Sequence, residues 1–399
     1  RRLREHLTGR GIARLTHRLG GASIVVQSRD EQGGIMKVQA AVMRTGNGPF
    51  TIEELELEAP RSDEVLVRMV ATGMCHTDLL SRELPPEFFG GPQVYGHEGC
   101  GVVQAVGAGV TDLAEGDHVV LSFNHCGTCP ACDTGKLPYC YNLTEHNMSG
   151  GRPDGSKAFT DSGGESIGSH FFGQSSFASH SVVARTSVVK VDPSYDLTLL
   201  GPLGCGIQTG AGAILNTLDV QPGSSVVVTG AGALGLSAVM AAKVAGAETI
   251  IAIDRHANRL KLAEKYGATA TLSGDPADLT SGIHEATGGG ADYAFDTTGN
   301  AAVVRASFEG LNNLGTIGLA GVGFGDLTFD FISLIGGRTI TGVMEGDSTP
   351  NEFIPRLAQL NADGRFPYHE LITTYPIDQI NDAEAASADG SVIKPVLVF

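Results

Sequence analysis

The feature that most restricts the fold of this chain is a short apolar run followed by a glycine turn and a helical pattern. Residues 225–229 are mainly β-branched, which suits a buried parallel strand. The turn GAGALG follows at residues 230–235, and a helical pattern then continues to Ala245. This order of strand, turn and helix is typical of a doubly wound α/β fold with a parallel sheet.

Each glycine of the turn has its own role in binding a dinucleotide. Gly230 permits the tight turn, Gly232 lets a pyrophosphate approach the backbone, and Gly235 allows the helix to pack closely on the strand. The anion would then rest on the helix N-terminus. The glycine pattern alone is weak evidence in a chain with 55 glycines, so the strand that follows matters.

A second apolar run, residues 249–253, ends in Asp254, about twenty residues after the last glycine of the turn. A carboxylate at this position binds the ribose 2′-hydroxyl and repels a 2′-phosphate, which predicts NAD as the cofactor. The neighbouring Arg255 leaves NADP as an alternative. Arg259 is predicted as a further cofactor contact.

Four of the seven cysteines form a C-x2-C-x2-C-x7-C array: Cys126, Cys129, Cys132 and Cys140. This spacing lets one loop place four sulfurs tetrahedrally around a zinc ion. Because the protein fills all four positions, the ion would hold the loop and take no substrate. A pair of disulfides is the alternative, but the spacing and the enzyme-like composition favour a reducing compartment.

Cys75, His97 and Cys205 come from three separate glycine-rich segments, GMCHTD, GHEGCG and GPLGCG. Two sulfurs and one imidazole match a catalytic zinc, which leaves its fourth position open. The sequence therefore predicts two zinc ions per chain. Cys100, in apolar and glycine-rich surroundings, is predicted to have a packing role.

Length and charge exclude several classes of function. A chain of 399 residues has room for two domains, and its 42% hydrophobic and 18% charged residues are typical of a globular enzyme. The formal net charge of −17 argues against nucleic acid and anionic membranes as partners. Without an apolar run near the ~20 residues that span a bilayer, we expect a cytoplasmic enzyme acting on a small molecule.

The chain changes in character at three places. Residues 1–35 carry six arginines in the first eighteen positions against a single acid, which predicts an extension outside the fold; an organelle transit peptide is the alternative. Short β-branched segments such as 64–70 and 101–107 then predict a β-rich domain. The glycine-rich residues 150–173 predict a long surface loop. Beyond residue 206, strands and helices alternate, and residues 392–399 are predicted to form a strand that returns to the first domain.

These motifs resemble the zinc-containing medium-chain alcohol dehydrogenases over residues 36–399, in motif order, four-cysteine array, Gly-His-Glu, nucleotide fold and C-terminal Phe. GPLGCGIQTGAGA at 201–213 and FFGQSSFA at 171–178 are similar to the bacterial aryl-alcohol (benzyl-alcohol) dehydrogenase branch. The resemblance implies a GroES-like catalytic domain over 36–206 and 343–399, with a structural-zinc lobe at 126–140, and a Rossmann domain over 207–342. It also implies a homo-oligomer; the resemblance favours a tetramer, and a dimer is the alternative.

The resemblance assigns the zinc site its chemistry. Cys75, His97 and Cys205 would hold the catalytic zinc, whose charge lowers the pKa of an alcohol substrate. Asp78 would orient the histidine ligand, and Glu98 would assist ligand exchange at the metal.

The remaining roles implied by the resemblance concern the proton and the cofactor. Thr77 would begin a proton relay, Thr209 would shape the nicotinamide site, and Lys394 would contact the pyrophosphate. Leu80 stands where well-known relatives have the histidine that ends the relay. His76, at the position of a pyrophosphate-binding arginine, either contacts the cofactor or faces solvent.

The predicted function is the reversible oxidation of a primary alcohol, aromatic or bulky and allylic, to its aldehyde with NAD. One alternative is a thiol-dependent formaldehyde dehydrogenase. The other is a catalytically silent nucleotide-binding homologue, which would not need Cys75, His97, Glu98 and Cys205 together.

Overall fold

The computed structural model of the chain describes residues 34–46, 48–82, 91–273, 275–323 and 325–399. The predicted N-terminal extension therefore lies outside the described residues, except for its last two positions. Residues Ile35–Phe399 form one unit.

Two sheets of mainly antiparallel strands build the first part of this unit, as the β-branched segments predicted. One sheet contains β1 (Met36–Met43), β2 (Thr51–Leu57), β4 (Gln93–Val94), β7 (Phe159–Thr160) and β8 (Ser166–Ile167). The other contains β3 (Glu64–Gly73), β5 (Gly99–Val106), β6 (His118–Leu121), β9 (His180–Ala184), β10 (Val188–Lys190), β17 (Ile372–Pro376) and β18 (Lys394–Val398). The strand orders are β4-β1-β2-β7-β8 and β10-β6-β5-β3-β18-β17, with β9 also paired to β3. Strands β17 and β18 form a parallel pair in the second sheet.

Strand β3 is central to the second sheet because it pairs with β5, β9 and β18, and one of its faces is buried. Val65, Val67 and Met69 are at most 1% exposed and pack in a core with Val119 and Leu121 of β6. Strand β18, near the C-terminus, pairs antiparallel with residues 71–73 at the end of β3. The chain therefore returns to its first half to complete this sheet.

A six-stranded parallel sheet builds the second part. Its strands are β11 (Ser225–Thr229), β12 (Thr249–Ile253), β13 (Ala270–Leu272), β14 (Ala291–Asp296), β15 (Leu311–Leu319) and β16 (Thr339–Gly342). They lie in the order β13-β12-β11-β14-β15-β16, and every pair is parallel. This is the strand order of the doubly wound dinucleotide-binding fold. The predicted strands at 225–229 and 249–253 are confirmed residue for residue.

Helices connect and cover these sheets. They are α1 (His76–Arg82), α2 (Pro130–Asp133), α3 (Leu143–Asn147), α4 (Gly206–Gly212), α5 (Ala233–Ala245), α6 (Ala257–Tyr266), α7 (Pro276–Thr287), α8 (Ala301–Glu309), α9 (Phe331–Ile335), α10 (Pro350–Ala362) and α11 (Ile380–Ala388). Helix α5 ends where Gly246 adopts a left-handed conformation, the usual C-terminal stop. Within the described residues, none of the helices has the length and hydrophobicity needed to cross a membrane.

The prediction of a surface loop at residues 150–173 holds for the exposed turns at 153–155 and 162–164 and is wrong for the buried parts of the segment. Strands β7 and β8 extend the first sheet, and Arg152 and His170 are both buried. Their side chains meet the carboxylate of Glu64, at 2.5 Å for Arg152 Nε and 3.1 Å for His170 Nε2. Burial raises the pKa of Glu64, but hydrogen bonds from His170 and Arg152 lower it to about 2. The sequence did not reveal these features because a two-residue strand is too short to show an alternation of apolar and polar residues. In addition, Glu64 lies far from Arg152 and His170 in the sequence.

One edge of the parallel sheet is open in the described residues. Strand β16 pairs on one side with β15 and ends the strand order. Apolar side chains of the same region face outward, with Phe331 80%, Ile332 75% and Ile335 69% exposed. Leu314 and Val322 are exposed as well. We call these five exposed residues, which lie between positions 314 and 335 of the sequence, the apolar patch.

Candidate metal and nucleotide sites

Four side chains from three segments meet in one place. Cys75, His97, Glu98 and Cys205 each offer one ligand atom, and these atoms lie within 4.8 Å of one another. We call this set the Cys-His-Glu cluster. His97, Glu98 and Cys205 are buried, and Cys75 is half-buried.

Strand pairing explains why these distant residues meet. Thr72 of β3 pairs with Gly99 of β5, so Cys75 just after β3 lies close to the residues just before β5. The Gly73 amide donates to the Glu98 carbonyl at 3.0 Å. The turn that carries Cys205 can approach Glu98 because Gly201 has no side chain. A Cβ at this position would collide with the Glu98 carbonyl.

Asp78 ties the cysteine and histidine segments together. Its buried carboxylate accepts hydrogen bonds from the Cys75 amide (2.9 Å) and the Gly96 amide (3.1 Å), and Asp78 Oδ1 lies 2.8 Å from His97 Nδ1. With Nδ1 engaged, the ring presents Nε2 to the rest of the cluster. The imidazole is thereby held in one orientation.

The donor set of this cluster fits a zinc ion. His97 Nε2 is buried and has no hydrogen-bond partner among the residues that the structure describes. An unpaired buried nitrogen is costly unless a ligand satisfies it. With the two sulfurs, the set consists of soft and borderline ligands. Such a set binds zinc in preference to harder cations.

Electrostatics in the cluster favour a metal-binding thiolate. The pKa of the Cys75 thiol lies well below its usual value, because the Cys205 thiol donates a hydrogen bond to it and opposes the effect of burial. Positive charge on His97 and Lys394 lowers it further. Conversely, the interaction with Cys75 and burial raise the pKa of Cys205. A cation placed between the two sulfurs would stabilise both as thiolates.

Glu98 forms a buried ion pair with Lys394. The Lys394 Nζ lies 2.6 Å from the Glu98 carboxylate and donates to the Met74 carbonyl at 3.1 Å. Burial raises the pKa of Glu98 to about 7, although the charge of Lys394 opposes this. Sequence reasoning missed this pair, because only the pairing of β18 with β3 brings the two residues together. The predicted contact of Lys394 with a pyrophosphate stays a prediction.

A further carboxylate, Glu345, reaches the cluster from the turn after β16. Its Oε1 lies 3.6 Å from Cys205 Sγ, and its Oε2 accepts from Gln208 Nε2 at 3.1 Å. Burial raises the pKa of Glu345 to about 7. Sequence reasoning did not find this residue, since no motif or spacing links position 345 to the cysteines.

The threonines predicted to serve the reaction flank the cluster. Thr77 Oγ1 lies 3.7 Å from Cys75 Sγ, and Thr209 Oγ1 donates to the Cys205 carbonyl at 2.9 Å. His76, next to them on α1, is exposed. Cys100 is fully buried, and burial raises the pKa of its thiol to about 12, which suits the packing role predicted for it.

An aromatic side chain stacks on the histidine of the cluster. The Phe172 ring lies 4.6 Å from the His97 ring, centroid to centroid, at an interplanar angle of 28°. Phe171 meets the same imidazole edge-on at 5.6 Å. Phe172 is half-buried and has a left-handed backbone conformation, with a φ of 51°.

The four predicted lobe cysteines also meet, again within 4.8 Å of one another. Sulfur–sulfur distances of 3.6 Å (Cys129 to Cys132) and 4.0 Å (Cys126 to Cys132) are far longer than a disulfide bond, and all seven cysteines are free. Backbone amides of Cys126 and Tyr141 point at sulfurs of the set. Four thiols with amide donors fit a closed zinc site.

The glycine turn has the geometry predicted for binding a pyrophosphate. Gly230 has a φ of 87°, a side chain at Gly235 would collide with the Gly230 carbonyl, and the space beside Gly232 is open. Asp254, at the end of β12, accepts from the Ala231 amide of the turn at 2.7 Å. The guanidinium of Arg259 lies against Gly390, and its cofactor contact stays a prediction.

Comparison with known proteins agrees with this fold and these sites. Residues 61–193 match the family described as alcohol dehydrogenase GroES-like domain, and residues 233–362 match the family described as zinc-binding dehydrogenase. The fold and the sites thus define a zinc-dependent dehydrogenase with a GroES-like domain and a nucleotide-binding domain.

Individual relatives agree over nearly the whole chain. The geraniol dehydrogenase of Castellaniella defragrans is 43% identical over 371 residues, covering 91% of this chain and 98% of that protein. The structure of benzyl alcohol dehydrogenase from Acinetobacter calcoaceticus is 42% identical, with a TM-score of 0.87, over 91% of this chain and 99% of the other. A zinc-binding alcohol dehydrogenase domain protein from Burkholderia ambifaria is 48% identical, with a TM-score of 0.89, over 92% and 100%. The chain belongs to the zinc-dependent medium-chain alcohol dehydrogenase family.

Proposed function

We propose that this alcohol dehydrogenase oxidises primary alcohols that carry an aromatic or bulky allylic group, using NAD. The observation that carries the proposal is the Phe172 ring stacked on His97, which places an aromatic wall beside the Cys-His-Glu cluster. An aromatic or allylic substituent can pack on such a ring. Two relatives named for geraniol and benzyl alcohol support the same substrate class.

The proposed zinc ligands are Cys75, His97 and Cys205. A zinc ion held by them would supply a Lewis acid that lowers the pKa of the alcohol hydroxyl. Asp78 keeps the imidazole in the orientation that serves the metal, through its contact with His97 Nδ1. Glu98, paired with Lys394, supplies a nearby carboxylate for ligand exchange. The four-cysteine lobe would hold the second zinc ion.

Thr77 is proposed to receive the alcohol proton. Its hydroxyl lies 3.7 Å from the sulfur of Cys75, so it can reach a substrate hydroxyl held beside that ligand. Leu80, one turn further along α1, cannot carry a proton, so we propose that the proton passes to solvent. The alcohol loses this proton and a hydride, and the aldehyde and reduced nicotinamide result.

The proposed cofactor is NAD because of the position of Asp254. Its carboxylate is anchored at the glycine turn through the Ala231 amide, where the ribose hydroxyls of a dinucleotide are bound in this fold. A 2′-phosphate there would face a like charge. Thr209, hydrogen-bonded to the backbone of Cys205, is proposed to shape the nicotinamide site.

We also propose that the enzyme is a homo-oligomer in which a second copy covers the apolar patch. Strand β16 leaves one edge of the parallel sheet open among the described residues, and the patch residues lie between positions 314 and 335, in β15 and in the connection from β15 to β16. Open edges and clustered apolar side chains are usually covered in soluble proteins. A cytoplasmic location stays a prediction.

Two zinc ions with separate roles should be distinguishable by substitution. Cys205→Ser should abolish turnover while one zinc ion and the fold remain, because the lobe is intact. Cys129→Ser should instead lower the melting temperature by several degrees, since the lobe loses a ligand and little core supports it. Elemental analysis, turnover and thermal unfolding measure these effects. Active enzyme with one metal ion per chain or fewer would refute the assignment.

The cofactor preference should depend on Asp254. A like-charge contact costs about 2 kcal/mol, so wild-type kcat/KM should favour NAD over NADP more than about tenfold. Asp254→Ser should shift this ratio toward NADP, and Asp278→Ser, on the exposed side of α7, should not. Equal kcat/KM values for the two cofactors in the wild type would contradict the proposal.

The substrate class should depend on the Phe172 ring. Phe172→Ala should lower kcat/KM for benzyl alcohol and geraniol about 3- to 10-fold, which matches the ~0.5–1.5 kcal/mol of an aromatic contact, and leave ethanol unaffected. Phe172→Leu keeps apolar bulk without a ring, so it should restore kcat/KM for geraniol more than kcat/KM for benzyl alcohol. The wild type should be tested in parallel with formaldehyde and glutathione or mycothiol. A strict thiol requirement would favour the formaldehyde alternative, and no activity with any substrate would favour the silent homologue.

The oligomer should dissociate when the patch is charged. Phe331→Asp combined with Ile335→Asp should lower the molar mass in light scattering, because two carboxylates would be desolvated at the interface. Ile35→Asp, at an exposed apolar residue outside the patch, is the matched control. A wild-type protein that is monomeric at micromolar concentration would show that no second copy covers the patch.

A further inference from the structure

The turn that carries Glu345 has an unusual backbone. Glu345, Gly346 and Asp347 have φ values of 48°, 66° and 52°, so three successive residues are left-handed. Only the glycine adopts this conformation without cost, and the backbones of the other two residues are strained. Such a conformation persists where the surrounding contacts determine it, and it is frequent at functional sites.

Contacts from two directions hold this turn. The Gly346 carbonyl accepts from Asn216 Nδ2 at 3.0 Å, in the segment that follows α4. On the other side, Tyr139 of the four-cysteine lobe donates to the Gly342 carbonyl at 3.3 Å, and Lys136 Nζ lies 3.6 Å from Asp347. The turn is therefore held between the four-cysteine lobe and the segment that follows α4.

The strained turn directs the Glu345 side chain inward, where it is 9% exposed. One carboxylate oxygen lies 3.6 Å from Cys205 Sγ, and the other lies 3.5 Å from Thr209 Oγ1. The same carboxylate touches both a proposed zinc ligand and a residue of the proposed nicotinamide site.

Gln208 connects this carboxylate to the rest of the buried network. Its amide nitrogen donates to Glu345, to Ser122 Oγ at 2.8 Å and to the Gly204 carbonyl at 2.8 Å. Its oxygen accepts from Ser348 Oγ, the residue that also caps the Glu345 carbonyl. The Gln208 side chain thus links the first turn of α4 to the Glu345 turn.

We propose that Glu345 is a positioning residue of the reaction, which fixes the sulfur of Cys205 and the start of α4 relative to each other. This inference rests on the proposed function in one respect, that Cys205 is a metal ligand. Glu345 acts through Cys205, Gln208 and Thr209 by contact and hydrogen bonding. Its shape and its hydrogen-bond acceptor therefore matter more than its charge.

Three variants test this role. Glu345→Ala removes the contacts and should lower kcat for benzyl alcohol at least about tenfold, within the 10- to 100-fold that groups supporting a metal ligand contribute. Glu345→Gln keeps the shape and an acceptor for Gln208 and should stay within about threefold of the wild type. Glu352→Ala, at an exposed glutamate of α10, is the control and should not change kcat.

Replacing zinc by Co²⁺ gives a readout that does not depend on activity. The lobe cysteines are the same in all variants, so their cobalt absorption cancels when the wild-type spectrum is subtracted from that of the variant. The difference spectrum then reports changes in thiolate-to-cobalt absorption at Cys75 and Cys205. Glu345→Ala should change this absorption and Glu345→Gln should not, with melting temperatures close to that of the wild type in both.

The outcomes separate the two proposals. Unchanged kcat and an unchanged cobalt spectrum in Glu345→Ala would overturn the positioning role. So would a Glu345→Gln variant as impaired as Glu345→Ala, since charge would then be decisive. If the wild type oxidises no alcohol, the proposed function fails, while the cobalt spectra still decide whether Glu345 positions Cys205.

Discussion

Strand β3 hydrogen-bonds to three other strands, and the Cys-His-Glu cluster depends on these pairings. Along one edge it pairs with β5, and along the other it pairs first with β9 and then with β18. Cys75 follows β3, His97 and Glu98 precede β5, and Lys394 begins β18. One strand therefore gathers side chains separated by more than three hundred residues of sequence.

The polar groups gathered in this way cannot be buried singly. Asp78 satisfies the backbone and ring donors of the cysteine and histidine segments, Lys394 pairs with Glu98, and Gln208 donates to Glu345. Breaking one member of such a network costs several kcal/mol, about 3–5 for a buried ion pair. His97 Nε2 is left without a partner among the described residues, at the position where a metal ion would complete the set.

Some features were readable from the sequence because they are local. The β-branched runs at 225–229 and 249–253 became β11 and β12 with the same bounds, and the helix predicted to reach Ala245 ends there. Four cysteines within fifteen residues left little choice of arrangement, and their sulfurs do meet. The buried parts of residues 150–173 were missed, since the carboxylate that pairs with Arg152 and His170 belongs to Glu64, outside the segment.

The sequence by itself determined the class of protein, because cysteine spacing and a glycine turn after a β-branched strand are recognisable within short windows. It also supplied the residues of the Cys-His-Glu cluster as a set. Only the tertiary structure decided that Lys394 pairs with Glu98, that Phe172 stacks on His97, and that Glu345 reaches Cys205. These contacts join residues from different strands and turns, so their distances depend on strand pairing and on a left-handed turn that no local pattern encodes.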